Sequence, residues 1–128
     1  MEIILQSNWL RGWQLEAINI TENFYKKKEK FLKNKAEQMR KKALSAKKIF
    51  KKYNVNAYLF GSVSKGKVDS NSDFDFYIEG LKNQMDFFKI LNELEEHLKE
   101  KVDLISDREV NDSIKTKIKK EGISVYEK

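Results

Sequence analysis

The sequence predicts an α+β fold, a small mixed β-sheet carrying helices and preceded by a helical extension. Three observations carry that reading. Residues 1 to 53 show only helical periodicity. After Asn54 the apolar residues fall into short strand-like runs separated by two further helical stretches. The 128 residues hold no proline, no repeat and no low-complexity tract, so nothing marks a flexible linker and one core is the default for this length. The expected division is an N-terminal helical extension over 1–53 and a second domain over 54–128.

Taken in order, Ser7 or Asn8 can cap a first helix with Trp9, Trp13, Ala17 and Ile20 near one face, and Thr21 can cap the next. From there Leu32, Ala36, Met39, Ala43, Ala46, Phe50 and Tyr53 step alternately by four and three residues, a heptad-like seam. A helix over 22–53 would be about 48 Å long at 1.5 Å per residue, longer than a small domain is wide. Part of it is therefore expected to project or to contact a partner.

Beyond Asn54, "NAYLFGS" and "DFDFYIE" read as two strands and "NQMDFFKILNELEEHLKE" as a helix with Phe87, Leu91, Leu94 and Leu98 on one face. "KVDLIS" reads as a third strand. "VNDSIKTKIKK" sets Val110, Ile114 and Ile118 at helical spacing, Gly122 suits a helix stop, and "ISVYE" closes as a strand. The order α, β, β, α, β, α, β suits a sheet with helices packed on it.

Composition narrows the function classes. A chain with 40% hydrophobic and 12% aromatic residues is globular. With no cysteine it has no disulfide, zinc–thiolate site or thiol nucleophile. No apolar run exceeds four residues, so neither a signal h-region nor a membrane span is expected, and the reading is a soluble, cytoplasmic protein without a membrane partner. The net charge of +6 is uneven. Residues 1–56 carry 14 Lys and Arg against 5 Asp and Glu (+9), whereas residues 57–128 carry 12 against 15 (−3). A basic front can meet nucleic acid or an acidic partner, or it can simply be solvated.

The chemistry concentrates in Leu59 to Glu79. In "SDFDFYI", strand alternation sends Asp73 and Asp75 to one face and Phe74 and Phe76 to the other. The two carboxylates lie about 7 Å apart along the strand at 3.3 Å per residue. Like charges near a core are unfavourable unless a cation neutralises them, and magnesium commonly bridges carboxylates to substrate phosphates. Asp103, flanked by Val102, Leu104 and Ile105, offers a third acid in a strand that can pair beside the first two. Three acids so placed can hold two metal ions for in-line displacement at phosphorus. Upstream, the strand ends at Gly61-Ser62. There glycine permits close backbone approach, the Ser62 hydroxyl and nearby amides can bond phosphate oxygens, and Lys65 adds a cation.

Gly61-Ser62, ten intervening residues and then Asp73-Phe74-Asp75 resemble the GS-x10-D-x-D signature of the DNA polymerase β-type nucleotidyltransferase superfamily, especially its minimal nucleotidyltransferase (MNT) members. The likeness runs from about Val55 to the C-terminus and includes Asp103 and the closing "KKEGISVYEK". It implies a polymerase β palm-like nucleotidyltransferase domain in which Asp73, Asp75 and Asp103 bind two Mg2+ ions and Gly61 and Ser62 hold the triphosphate. The implied reaction moves a nucleoside monophosphate from an NTP, foremost ATP, to a hydroxyl. The implied partner is a HEPN-type toxin, inactivated by attachment of AMP to a tyrosine, as in toxin–antitoxin pairs. Two features depart from the pattern. Lys65 stands where many relatives have arginine, replacing a bidentate grip by a point charge, and typical MNT proteins lack an N-terminal helical segment of this length.

Other readings are transfer to RNA held by the basic front, or a catalytically silent module that docks a partner through the seam and the Trp9/Trp13 pair. His97, in "LEEHLKE", belongs to a solvated helix face.

Overall fold

The structure, a computed structural model, describes residues 2–66, 68 and 73–128, with side chains described from Thr21 onward. The chain divides into two compact units, Met1–Leu32 and Lys33–Lys128. The first consists of helix; the second holds the sheet and everything that positions the site.

Helix α1 runs Glu2–Ser45 and α2 Lys47–Tyr53. The expected restart at Thr21 does not occur, and the interruption falls at Ala46. No proline lies in the segment, and Gly12 is its only glycine. A possible cap therefore has no break to act on, because a Thr costs a helix only a few tenths of a kcal/mol. The expected helix start at Ser7 or Asn8 does not occur either, since α1 begins at Glu2 and runs through both residues; the Trp9/Trp13 face rests on side chains outside the described residues. Asn54 closes α2 in the left-handed conformation (φ 57°), which asparagine tolerates better than most residues.

Four strands follow: β1 (Asn56–Phe60), β2 (Phe74–Glu79), β3 (Val102–Ser106) and β4 (Ile123–Tyr126). They form one sheet in the order β3-β2-β1-β4. β1 pairs antiparallel with β2 and β4, and β2 pairs parallel with β3. Three helices are interleaved: α3 (Gly61–Lys65), α4 (Gln84–Leu98) and α5 (Asp112–Glu121). Asn83 and Asn111 cap α4 and α5, each side-chain oxygen accepting a backbone N–H at 2.9 Å, as N-cap residues do. The chain is thus the expected α+β fold with a mixed sheet, and α3 is a short addition immediately after β1.

Alternation on β2 separates two environments. Phe74, Phe76 and Ile78 are fully buried. The Phe50 ring of α2 lies 5.4 Å from that of Phe76, and α4 supplies Phe87, Ile90, Leu94 and Leu98 to the buried core. The heptad-like seam belongs to this core from Ala36 to Phe50, since Ala36, Met39, Ala43, Ala46 and Phe50 are all buried, whereas Tyr53 at its end is only half-buried. The opposite face carries Asp75 and Tyr77. Tyr58, Tyr77 and Ile118 pack there with Phe60, Ile105 and Val110, so α5 covers only part of it. Gly122 ends α5 as expected, but for a packing reason. Its φ is −80°, and a Cβ there would lie 2.6 Å from the Ile118 carbonyl oxygen and 2.7 Å from that of Leu59.

Candidate active site

The site lies where β1 ends, β2 begins and β3 begins. Register places Asp75 opposite Phe60 on one side and opposite Asp103 on the other. The two acids are therefore direct neighbours across a parallel ladder, pointing to the same face. Asp73 sits half-buried one residue before β2. Asp75 is half-buried and Asp103 exposed.

Burial, and after it the charge of Asp103, a hydrogen bond to Asp103 and the charge of Asp73, push Asp75 up from its ordinary 3.8 to about 6. Desolvation disfavours the charged carboxylate and a like charge adds to it. These are the conditions under which a divalent cation with hard oxygen ligands fits. Among the described residues, no three His, Asp and Glu side chains converge as a ready-made metal-ligand group. The acids the structure brings together are the pair Asp75 and Asp103, with Asp73 beside them.

Gly61 joins this pair to the turn after β1. Its φ is +77°, a conformation L side chains rarely adopt, and a Cβ there would lie within 2.5 Å of the Asp75 carboxylate. The backbone of the Gly-Ser turn thus packs directly on the acid. Ser62 and Val63 continue into α3, where the Ser64 hydroxyl donates to the Gly61 carbonyl at 2.9 Å. Lys65, at the end of α3, is exposed and faces Glu121 of α5 at 3.9 Å. Between α3, α5 and the sheet lies a cavity of about 240 Å3, bounded by Phe60, Gly61, Lys65, Ile105, Ile118 and Glu121.

Sequence reasoning missed one residue at this site. Arg40 of α1 donates from Nε to the Val63 carbonyl at 3.0 Å and from Nη2 to the Ser64 carbonyl at 3.2 Å. Its only sequence signal is position, next to Met39 at the margin of the buried seam within a basic run.

Paired acids on adjacent strands beside a Gly-Ser turn, on a mixed sheet with this order, define a domain of the nucleotidyltransferase type. A family model described as "Polymerase beta, Nucleotidyltransferase" matches residues 45–128, and the chain belongs to that family. Among solved structures, one assigned as a minimal nucleotidyltransferase superposes with a TM-score of 0.61 at 22% identity, covering 69% of this chain and 93% of that one. A toxin–antitoxin structure with AMP-PNP gives a TM-score of 0.53 at 22% identity, covering 63% of this chain and 69% of that one. The toxin–antitoxin MntA-HpeT, carrying two Asp-to-Glu substitutions, gives 0.53 at 20% identity with the same coverages. These likenesses establish the minimal nucleotidyltransferase fold. No curated protein sequence matches the chain.

Proposed function

We propose that the protein is a metal-dependent nucleotidyltransferase that moves a nucleoside monophosphate, AMP from ATP in the first instance, to a hydroxyl on a partner protein. The observation carrying this reading is the contact of Gly61 with the Asp75 carboxylate while Asp75 stands in register with Asp103. A phosphate-holding turn and a carboxylate pair thereby share one site within the family's domain.

Asp73, Asp75 and Asp103 would hold magnesium, two ions in all. When bound, magnesium supplies the positive charge and Lewis acidity that in-line displacement at phosphorus requires. The chain's own residues do the rest. Gly61 lets the backbone come close to the triphosphate, Ser62 donates its hydroxyl to a phosphate oxygen, and Lys65 leaves its weak ion pair with Glu121 to add a point charge. The acceptor oxygen forms a bond to the α-phosphorus while the bond to the bridging oxygen breaks, and pyrophosphate departs. The hydroxyl proton goes to the exposed Asp103, which can release it to water. Residues 54–128 would be the catalytic domain and residues 1–53 an extension that selects the acceptor.

For the partner, the toxin–antitoxin neighbours favour a protein acceptor, and the choice of a HEPN-type toxin rests on the resemblance of the sequence to antitoxin nucleotidyltransferases alone. A second reading, in which the helices bind RNA or a partner without transfer, draws on Phe24, Tyr25 and Phe31. All three are more than half exposed among the lysines of α1. Aromatic rings interleaved with cations suit single-stranded nucleic acid.

The test is incubation with magnesium and either α- or γ-labelled ATP in lysate of the source cell. Covalent label from the α but not the γ position, absent with Asp75→Asn, is the expected result. Label from the γ position, or label unaffected by Asp75→Asn, would contradict the assignment.

A further inference from the structure

We infer that Arg40, on the part of α1 that precedes the family-matched segment, is a positioning residue for the nucleotide-holding turn. The inference rests on the nucleotidyltransferase reading above and adds a component that the family domain, starting at residue 45, does not contain.

Helix α3 has only five residues, too few for helical propensity to hold it in place. Its first residue, Gly61, lies against Asp75, and its last, Lys65, carries the expected phosphate cation. The placement of both depends on what fixes the short helix. At its carboxyl end the carbonyls of Ser62 and Val63 receive the backbone N–H of Gly66, but the Ser64 carbonyl, and a second lone pair of Val63, receive Arg40. A guanidinium has rigid, forked donors and cannot lose its charge, so it fixes two carbonyls in one orientation. Cations at a helix carboxyl end are favourable as well. Gly66 leaves the room this needs: its φ is +73°, and a Cβ would sit 2.6 Å from Arg40 Nη2.

Around Arg40, α1 is anchored by its own seam. Ala36, Met39 and Ala43 are buried on the same helix, so the guanidinium extends from a fixed base. The carboxyl end of α3 is thus tied to α1, while its amino end packs on the catalytic strand. Lys42, two residues along, makes a bond of the same kind to a different helix: its Nζ donates to the Leu98 carbonyl at the end of α4, at 2.8 Å. Lys42 is therefore a matched control. Its loss removes an anchor of α1 without touching α3.

The experiment compares the full chain with Arg40→Ala, Arg40→Lys and Lys42→Ala, measuring the dissociation constant of a magnesium-loaded non-hydrolysable ATP analogue by titration calorimetry, with melting temperatures alongside. Losing two charge-assisted bonds at the turn should weaken nucleotide binding by about ten-fold in Arg40→Ala. Arg40→Lys, able to reach one carbonyl at a time, should fall between Arg40→Ala and wild type. Lys42→Ala should lower the melting temperature while leaving the dissociation constant within about two-fold of wild type. Equal dissociation constants for Arg40→Ala and Lys42→Ala would overturn the positioning role and leave the nucleotidyltransferase reading intact. Failure of the wild-type chain to bind the analogue would overturn both.

Discussion

The two faces of β2 divide the six residues of one strand between them and follow opposite rules. One face, Phe74, Phe76 and Ile78, is sealed under α2 and α4 with no exposed surface. The other presents Asp75 beside Asp103 and is only partly roofed by α5 and the Tyr58–Tyr77–Ile118 cluster. The first face holds the fold; the second holds unfavourable charge where a substrate would use it. Their difference shows how a single alternating strand separates stability from chemistry, since a side chain's face follows from its position alone.

Substitutions on the two faces should therefore act in opposite directions. Phe76→Ala empties a fully buried ring site and should cost about 3–5 kcal/mol, measured as a shift in denaturant midpoint with an unchanged slope. Gly61→Ala, at the junction, forces a side chain into a left-handed backbone and against Asp75. It should cost about 1–2 kcal/mol of stability from the backbone alone and abolish nucleotide binding in calorimetry.

Asp75→Asn should have the opposite sign for stability while abolishing transfer. Asp75 is raised in the folded protein from 3.8 to about 6, so the folded state binds this proton more tightly than the unfolded chain. Its stabilising contribution is complete below about pH 4 and is lost as pH rises through 6. At pH 7.5, without magnesium, the asparagine variant should be more stable than wild type by about 1 kcal/mol, after allowance for solvent screening of a half-exposed carboxylate. At pH 3.5 the gain should vanish. Thermal melts at the two pH values check this, and a gain that persists at pH 3.5 would place its origin elsewhere. The smallest effect belongs to the rim. Glu121→Gln, which frees Lys65 from an exposed pair, should change stability by less than about 0.5 kcal/mol.

The same contrast explains what could be read from the sequence. Local patterns disclosed the strands, the two-faced run Asp73 to Ile78 and the GS-x10-D-x-D spacing, because alternation and turn chemistry are short-range. Asp103 was legible as an acid inside an apolar strand, and the parallel register placed it beside Asp75. The position of the break between α1 and α2 was not legible, since neither Thr21 nor Ala46 carries a strong stop or start signal. Arg40 was also hidden. Its role depends on two carbonyls 23 and 24 residues away, a tertiary relation that no local periodicity encodes. Gly122 was recognised as a helix stop, whereas its reason, the nearby Leu59 carbonyl, lies across the sheet.

The most direct test of the central claim, that the Gly61-Ser62 turn and the Asp75–Asp103 pair form one nucleotide site, is calorimetric titration of ATP analogue with and without magnesium. Wild type, Asp75→Asn and Asp103→Asn would be compared. The account predicts binding that requires magnesium in wild type and is lost in both variants. Binding that is indifferent to magnesium and to both substitutions would contradict it.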